Sequence, residues 1–371
     1  MTADFLSEQF PLAPVDDHLI HQTPDPVRVA WSSDPRFYER YWFVLHDNTG
    51  DLMLAVGGSF YPNLDSAEAY AVVTLRGRQH SVRAFRSLGA DRMDLSVGPL
   101  RPVILEGLRS WRLVLEPNAW DISFDLEWTD RTRQVYDATY GAPVPGSQPV
   151  MTAGFEGFGE VTGRVRVGGE RIDWRAGDAR GTRDRHWGIG RGVGGPAMNG
   201  GHAVKAGWKG GNWVRFDDFA VWGRRVLYEF GDPRPGAGRV ARVDRRLRFD
   251  EETKIFAEGV LDYTFDDGST RQVRFERLGL QTAFMRCAMY GGTPDGDVHQ
   301  GHYRGGDLPE VLVEGDTYDL ADPATRLRLR GLDEHHCRIS WDGRSTTGVL
   351  QPLEPDAYEA CKRGTPGWAF L

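Results

Sequence analysis

The sequence predicts an all-β protein built from two antiparallel β-barrel or β-sandwich domains packed together. Three observations predict it. Apolar and polar residues alternate with a period of two along much of the chain, glycines and aromatics are abundant, and helical periodicity is nearly absent. The chain has 371 residues, 40% of them hydrophobic. That is more than one small core accommodates, so two domains are expected, residues 1–175 and 176–371.

The alternation is clearest in Asp121-Ile-Ser-Phe-Asp-Leu-Glu-Trp128. Here Ile122, Phe124, Leu126 and Trp128 share one face, and Asp121, Ser123, Asp125 and Glu127 the other. Trp111 to Leu115 precedes it, and the intervening Glu116-Pro117-Asn118 reads as a turn, so the two runs form a hairpin. Asp267-Gly268 and Asp342-Gly343 each separate two strand-like runs, and Asp-Gly is the pair that a type I′ hairpin favours. Helix candidates are confined to Pro35–Arg40 and Pro355–Lys362. The proline-bearing stretches Tyr140–Gln148 and Gly231–Gly238 read as irregular connections. No short repeat points to a propeller or solenoid. Antiparallel sheets of this extent need closure to protect their edges, which favours barrels or sandwiches.

Composition removes several function classes. The net charge of −8 argues against a nucleic-acid partner, which needs a basic field. Lys205, Lys209, Lys254 and Lys362 are the only lysines, so Schiff-base chemistry is disfavoured. Cys287, Cys337 and Cys361 are odd in number and widely spaced, which reads as free thiols instead of a disulfide or zinc framework. No apolar run is long enough for a membrane span, and the first residues lack a secretion signal, so a cytoplasmic location is expected. The 46 glycines are scattered through apolar stretches, and 12 tryptophans with 18 phenylalanines predict large inward-facing aromatic surfaces. The expected partner is a hydrophobic small molecule, and a homodimer is compatible with the sequence.

One stretch departs from the alternation. Gly177 to Arg191 concentrates Asp178, Arg180, Arg183, Asp184, Arg185, His186 and Trp187 among glycines. If Arg183–Trp187 is extended, Asp184 and His186 lie on one face and Arg183, Arg185 and Trp187 on the other. A carboxylate beside an imidazole makes a general acid–base pair. The structural alternative is an Arg–Asp network that closes a barrel end, with Trp187 as a core plug.

Gly181-Thr-Arg183-Asp184-Arg185-His186-Trp187-Gly188 is similar to the Arg-Asp-His-Ser-Trp-Gly signature of a bacterial family related to carotenoid 1,2-hydratases, the hydroxyneurosporene synthase-like proteins. Further segments resemble that family: His21–Pro26 with Trp31, Tyr38 and Glu39, Gly157–Gly163, Gly315–Leu320, and Asp342-Gly343. The resemblance implies a pair of lipocalin-like barrels. It implies water addition or elimination at isoprenoid double bonds, with cyclisations and pericyclic closures in related lineages. This chain departs from the signature by placing Arg185 directly after Asp184. His186 then takes the next slot, on the opposite face of an extended segment.

The functional expectation is a cofactor-independent lyase or hydratase acting on a terpenoid, steroid or aromatic metabolite. Asp184 or Asp178 is the acid, kept protonated by an apolar surrounding. His186 relays the proton, Arg183 fixes the carboxylate, and Trp187 stabilises a developing cation. Arg185 with Tyr290, His299, His302 and Tyr303 is expected to contact substrate. His299 and His302 have an HxxH spacing, but glycines surround them and a third ligand is lacking, so no metal is expected. His335-His336 reads as an exposed turn before a strand. Trp208, Trp213, Phe216, Phe219 and Trp222 read as barrel core or pocket wall. The glycine groups near Gly190 and Gly210 lack the strand–helix context of a phosphate loop, and no Gly-x-Ser-x-Gly elbow occurs. A non-catalytic lipophilic carrier and a retro-aldol carbon–carbon lyase on an aromatic substrate remain alternatives.

Overall fold

A computed structural model describes residues 13–140, 150–190, 193–194, 198, 211–285, 300–301, 304, 311–352 and 368–370. It is all-β, with two packed sheets. The first sheet is eleven-stranded. It contains β1 (Phe37–Asp47), β2 (Leu52–Tyr61), β3 (Ser66–Leu75), β4 (Arg78–Ser87), β5 (Val103–Glu106), β6 (Ser110–Leu115), β7 (Ile122–Asp130), β8 (Asp137–Tyr140), β9 (Met151–Val167), β10 (Glu170–Ile189) and β17 (Leu312–Asp319). Its order is β17-β4-β3-β2-β1-β10-β9-β7-β6-β5, with β8 beside β9. The second contains β11 (Gly211–Phe216), β12 (Phe219–Trp222), β13 (Arg225–Val226), β14 (Gly238–Phe249), β15 (Phe256–Phe265), β16 (Thr270–Phe284), β18 (Asp333–Trp341) and β19 (Arg344–Gln351). The β13–β14 pairing closes these eight strands into a barrel, and β20 (Trp368–Phe370) adds to β14.

The division at 175/176 falls inside β10, all of which belongs to the first sheet. β17 returns from the C-terminal half to pair with β4 in that sheet. Its alternation shows that it is a strand but carries no information about which sheet it joins.

The hairpin of β6 and β7 forms as expected. The two Asp-Gly turns differ. Asp342 and Gly343 both have positive φ (49° and 73°), as a type I′ turn requires. At the other turn Gly268 is positive (80°), and the loop is longer, with Phe265 N–H donating to the Ser269 carbonyl. The helix expected over Pro35–Arg40 is not formed. β1 begins at Phe37 and is buried on both faces, so packing overrides the local proline signal. The helix that does form, α1 (Pro323–Leu329), has Asp322 as N-cap, accepting from Ala324 N and Thr325 N, with Pro323 at its first position. Pro355–Lys362 lies outside the described residues. Residues 231–237 are irregular as expected, and Gly238 opens β14.

The sheets have separate cores joined by a third. Inside the first, Tyr41, Phe43, Trp111 and Trp128 pack with aromatic centroids 5.4–5.5 Å apart across β1–β6 and β1–β7. Inside the barrel lie Phe216, Phe219, Tyr263, Phe275 and Ile339. Between the sheets, Trp42, Val44, Met53, Tyr70 and Val72 meet Trp213, Ala283 and Val349. Thus Phe216 and Phe219 are barrel core, Trp213 belongs to the interface, and Trp208 lies outside the described residues. Trp222 Nε1 donates to Thr182 Oγ1 across the interface (2.7 Å). Cys337 is a buried free thiol, and Cys287 and Cys361 lie outside the described residues. No helix among the described residues is long and apolar enough to cross a membrane.

His335 and His336 are not an exposed turn. Both are buried within β18, whose alternation sends His335 toward the barrel core and His336 toward the first sheet. The His336 ring lies 4.4 Å from that of His46 on β1, and neither of its nitrogens has a hydrogen-bond partner among the described residues.

Candidate active site

β1, β2 and β3 alternate between the first sheet's own core and the face turned to the barrel. Residues that stand opposite each other across adjacent strands therefore form rows on that face. One row runs from Gly154 on β9 through His186 on β10, Arg40 on β1 and Ser59 on β2 to Glu68 on β3. The next runs Glu156, Asp184, Trp42, Gly57, Tyr70 and Arg83. Farther along the same strands the face is apolar, with Val44, Ala55, Val72 and Phe158. The polar rows therefore begin where the apolar interface ends.

Asp184 is 3% exposed and accepts from Arg40 Nη2 at 2.8 Å to Oδ1 and 2.5 Å to Oδ2. His186 Nδ1 lies 3.1 Å from Asp184 Oδ1, and its Nε2 lies 3.5 Å from Glu156 Oε1. The Nδ1 approach is short but misaligned, and this nitrogen makes no hydrogen bond among the described residues. Arg225 Nη1 donates to Glu156 Oε2 (3.0 Å) and also pairs with Asp137.

Burial raises two carboxyls in this region. Burial pushes Glu68 up to about 8, against hydrogen bonds from the Tyr61 hydroxyl and Gly301 N–H. On the facing side of the barrel, burial pushes Glu334 up to about 8. Its contact with Gln351 opposes the shift, while the charges of Asp333 and Asp184 add to it. The upward shift that the sequence reading expected of a site acid is found at Glu68 and Glu334. Asp184 is instead paired with the Arg40 guanidinium.

The structure unites Asp184 and His186 but separates the other expected residues from them. Arg183 points into the first sheet's core, where its Nε and Nη2 donate to Asp130 at 2.9 and 2.6 Å. Arg40, not Arg183, holds the Asp184 carboxylate. Asp178 is exposed in the bulge between Trp174 and Ala179, accepting from Arg175 N (2.8 Å). Arg185 and Trp187 share the face opposite His186. Arg185 pairs with Glu39, and Trp187 packs edge-on against Phe155 (6.4 Å). Tyr290, His299, His302 and Tyr303 lie outside the described residues. Among the described residues no group of three or more His, Cys, Asp or Glu is placed to hold a metal.

Arg40, Glu68, Tyr70, Glu156 and Glu334 escaped the sequence reading. A signal existed for Glu68. It is the one charge in Ala67-Glu68-Ala69-Tyr70-Ala71, a run too apolar for a solvated strand. Glycines make room for the site. A Cβ on Gly57 would stand 2.5 Å from the Tyr70 hydroxyl. One on Gly154 would meet the Arg185 carbonyl and lie 2.5 Å from His186 Cδ2. Gly154→Ala is therefore expected to shift the His186 imidazole resonances in NMR and to cost about 1–3 kcal/mol of stability. Unchanged resonances would show that the ring is not confined there.

Among solved structures, kievitone hydratase from Nectria haematococca aligns over 93% of this chain and 98% of its own, with 11% identity and a TM-score of 0.47. CghA with Sch210972 aligns over 86% of this chain and 89% of its own, with 11% identity and a TM-score of 0.37. CghA alone gives the same coverage, 11% identity and a TM-score of 0.35. No curated protein matches the sequence. A protein family of unknown function (DUF8625) matches residues 12–229, the span of the first sheet up to β17 together with the opening strands of the barrel. The chain belongs to that family.

Proposed function

We propose that this protein is a cofactor-independent hydratase or lyase that acts on a hydrophobic small molecule at the Asp184–His186 rows. The observation that carries the reading is the placement of His186. Its imidazole lies 3.1 Å from a carboxylate held by Arg40, on a side chain 13% exposed, where the polar rows meet the apolar interface. The resemblance of Arg183–Gly188 to the carotenoid 1,2-hydratase-like signature supports it, as does the adjoining aromatic surface of Trp42 and Trp213, whose rings lie 5.1 Å apart.

In this reading the imidazolium of His186 delivers a proton to one carbon of an alkene, and Asp184 stabilises the charged ring. Water adds to the resulting carbocation and gives up a proton, which returns to the imidazole. Run backwards, the same steps eliminate water from an alcohol. Glu68, whose carboxyl burial raises to about 8, offers a second proton three strands along the row of His186.

The test is conversion of a panel of isoprenoid and aromatic alkenes, read as a mass gain of one water. His186→Gln is expected to bind substrate and to lose roughly two to four orders of magnitude in turnover, with an unchanged melting temperature. Panel members retained in native mass spectrometry without conversion would instead favour a carrier.

A further inference from the structure

The reverse side of the same sheet holds a cavity that the proposed chemistry does not use. It has a volume of ≈ 620 Å³ and lies between the segment after Val15, the start of β1 and the β4–β6 connections. That volume is within the roughly 300–1,000 Å³ typical of small-molecule sites. Trp31, Phe37, Tyr41, Phe60, Ile104 and Trp111 line it. Its surroundings are unusually apolar for a surface, since Trp31, Met93 and Ile104 are all exposed.

The cluster of Glu39, Arg92 and Arg185 within it carries one more positive than negative charge. Glu39, Arg92 and Arg185 all line the cavity. Arg92 Nη2 donates to Glu39 Oε1 at 2.9 Å, and Arg185 Nη2 donates to Glu39 Oε2. Two guanidinium groups thus share one carboxylate. Burial pushes the carboxyl of Glu39 up, but the two guanidinium charges outweigh it and hold the group below its ordinary value. Burial, together with the neighbouring charge of Arg185, pushes Arg92 down, with Glu39 opposing. The acidic lining residue Asp94 is paired with Arg86, and Asp25 is exposed on the N-terminal segment. Arg40, which also lines the cavity, is committed to Asp184. Tyr41 adds a polar group. It is 3% exposed, and its hydroxyl has no hydrogen-bond partner among the described residues.

We infer that this cavity is a second binding site, taking an elongated apolar molecule that carries one carboxylate, with the carboxylate on Arg92 and Arg185. A carboxylate there supplies the missing negative charge, accepts from groups already fixed by Glu39, and leaves the apolar tail against Trp111 and Phe60. Arg185 lies on the opposite face of β10 from His186, and Arg40 borders both the cavity and Asp184.

The probe is laurate, compared with methyl laurate, titrated into the full-length protein by calorimetry. Laurate is expected to bind, and the ester to bind roughly ten- to a hundredfold more weakly, the worth of hydrogen bonds to a charged group. Arg92→Gln should lose affinity for laurate to the same degree, Arg92→Lys should retain most of it, and His186→Gln should bind laurate as the intact protein does. Absence of laurate binding, equal binding of acid and ester, or an Arg92→Gln variant that binds laurate normally overturns the inference. If Arg92→Gln does not fold, the acid–ester comparison on the intact protein decides. Selective laurate binding by a protein that converts no alkene would support this site alone.

Discussion

Asp130→Asn is expected to destabilise the protein by about 3–5 kcal/mol, measured by chemical unfolding. Arg183 is 1% exposed, and Asp130 accepts from both its Nε and its Nη2. The guanidinium also lies 5.2 Å from the Phe155 ring centroid, among aromatics that cannot replace the lost charge. An amide leaves a buried cation without a counter-charge, whereas replacing both partners with apolar residues of similar volume removes the problem. The Arg183→Met, Asp130→Leu double variant should therefore recover most of the loss. A single variant with near-normal stability would mean that water reaches the pair. His186→Gln has no such consequence, so the two arms of the signature segment separate experimentally, Arg183 by stability and His186 by turnover.

Stability should pass through a maximum near pH 6.5 and fall on both sides. Burial lowers His46 from 6.5 to about 4, opposed by its hydrogen bond to the Asp47 carbonyl, and it lowers His335 and His336 well below 6.5. These rings fold neutral. As pH drops below 6.5 the unfolded chain binds protons that the folded one does not, and stability is lost. Glu68 and Glu334 act in the opposite direction. Both are raised from 4.5 to about 8, so between those values the unfolded chain ionises while the folded chain does not, and stability falls as pH rises. Each group contributes roughly 1.4 kcal/mol per pH unit within its window. Between 4.5 and 6.5, three imidazoles outweigh two carboxyls. Of these five groups only the carboxyls act above 6.5, and only the imidazoles below 4.5. Paired carboxylates such as Asp34, lowered by its hydrogen bonds from Arg36, add to the acid loss. Glu68→Gln should halve the slope between pH 6.5 and 8. A flat profile across that range would show that these carboxyls are not held neutral.

The sequence by itself determined the fold class and the face that Asp184 and His186 share. Period-two alternation is set by strand geometry, so Asp121–Trp128 declares its wet and dry faces without reference to any other segment. The same rule put Asp184 and His186 on one face and Arg183, Arg185 and Trp187 on the other, as β10 has them. Asp342-Gly343 likewise carries its turn type in two residues. Tertiary structure alone decided which strands neighbour β10, and hence that Asp184 meets Arg40 from β1 while Arg183 meets Asp130 from β7. Those partners are 144 and 53 residues away in sequence, and no local rule encodes such separations. Strands buried on both faces hid the rest. β2 and β3 have no exposed side, so Glu68 and Tyr70 stand in nearly continuous apolar runs, and His335-His336 looks like a polar turn. In such strands burial comes from the second sheet packed on top, and a single strand's sequence holds no record of what covers it.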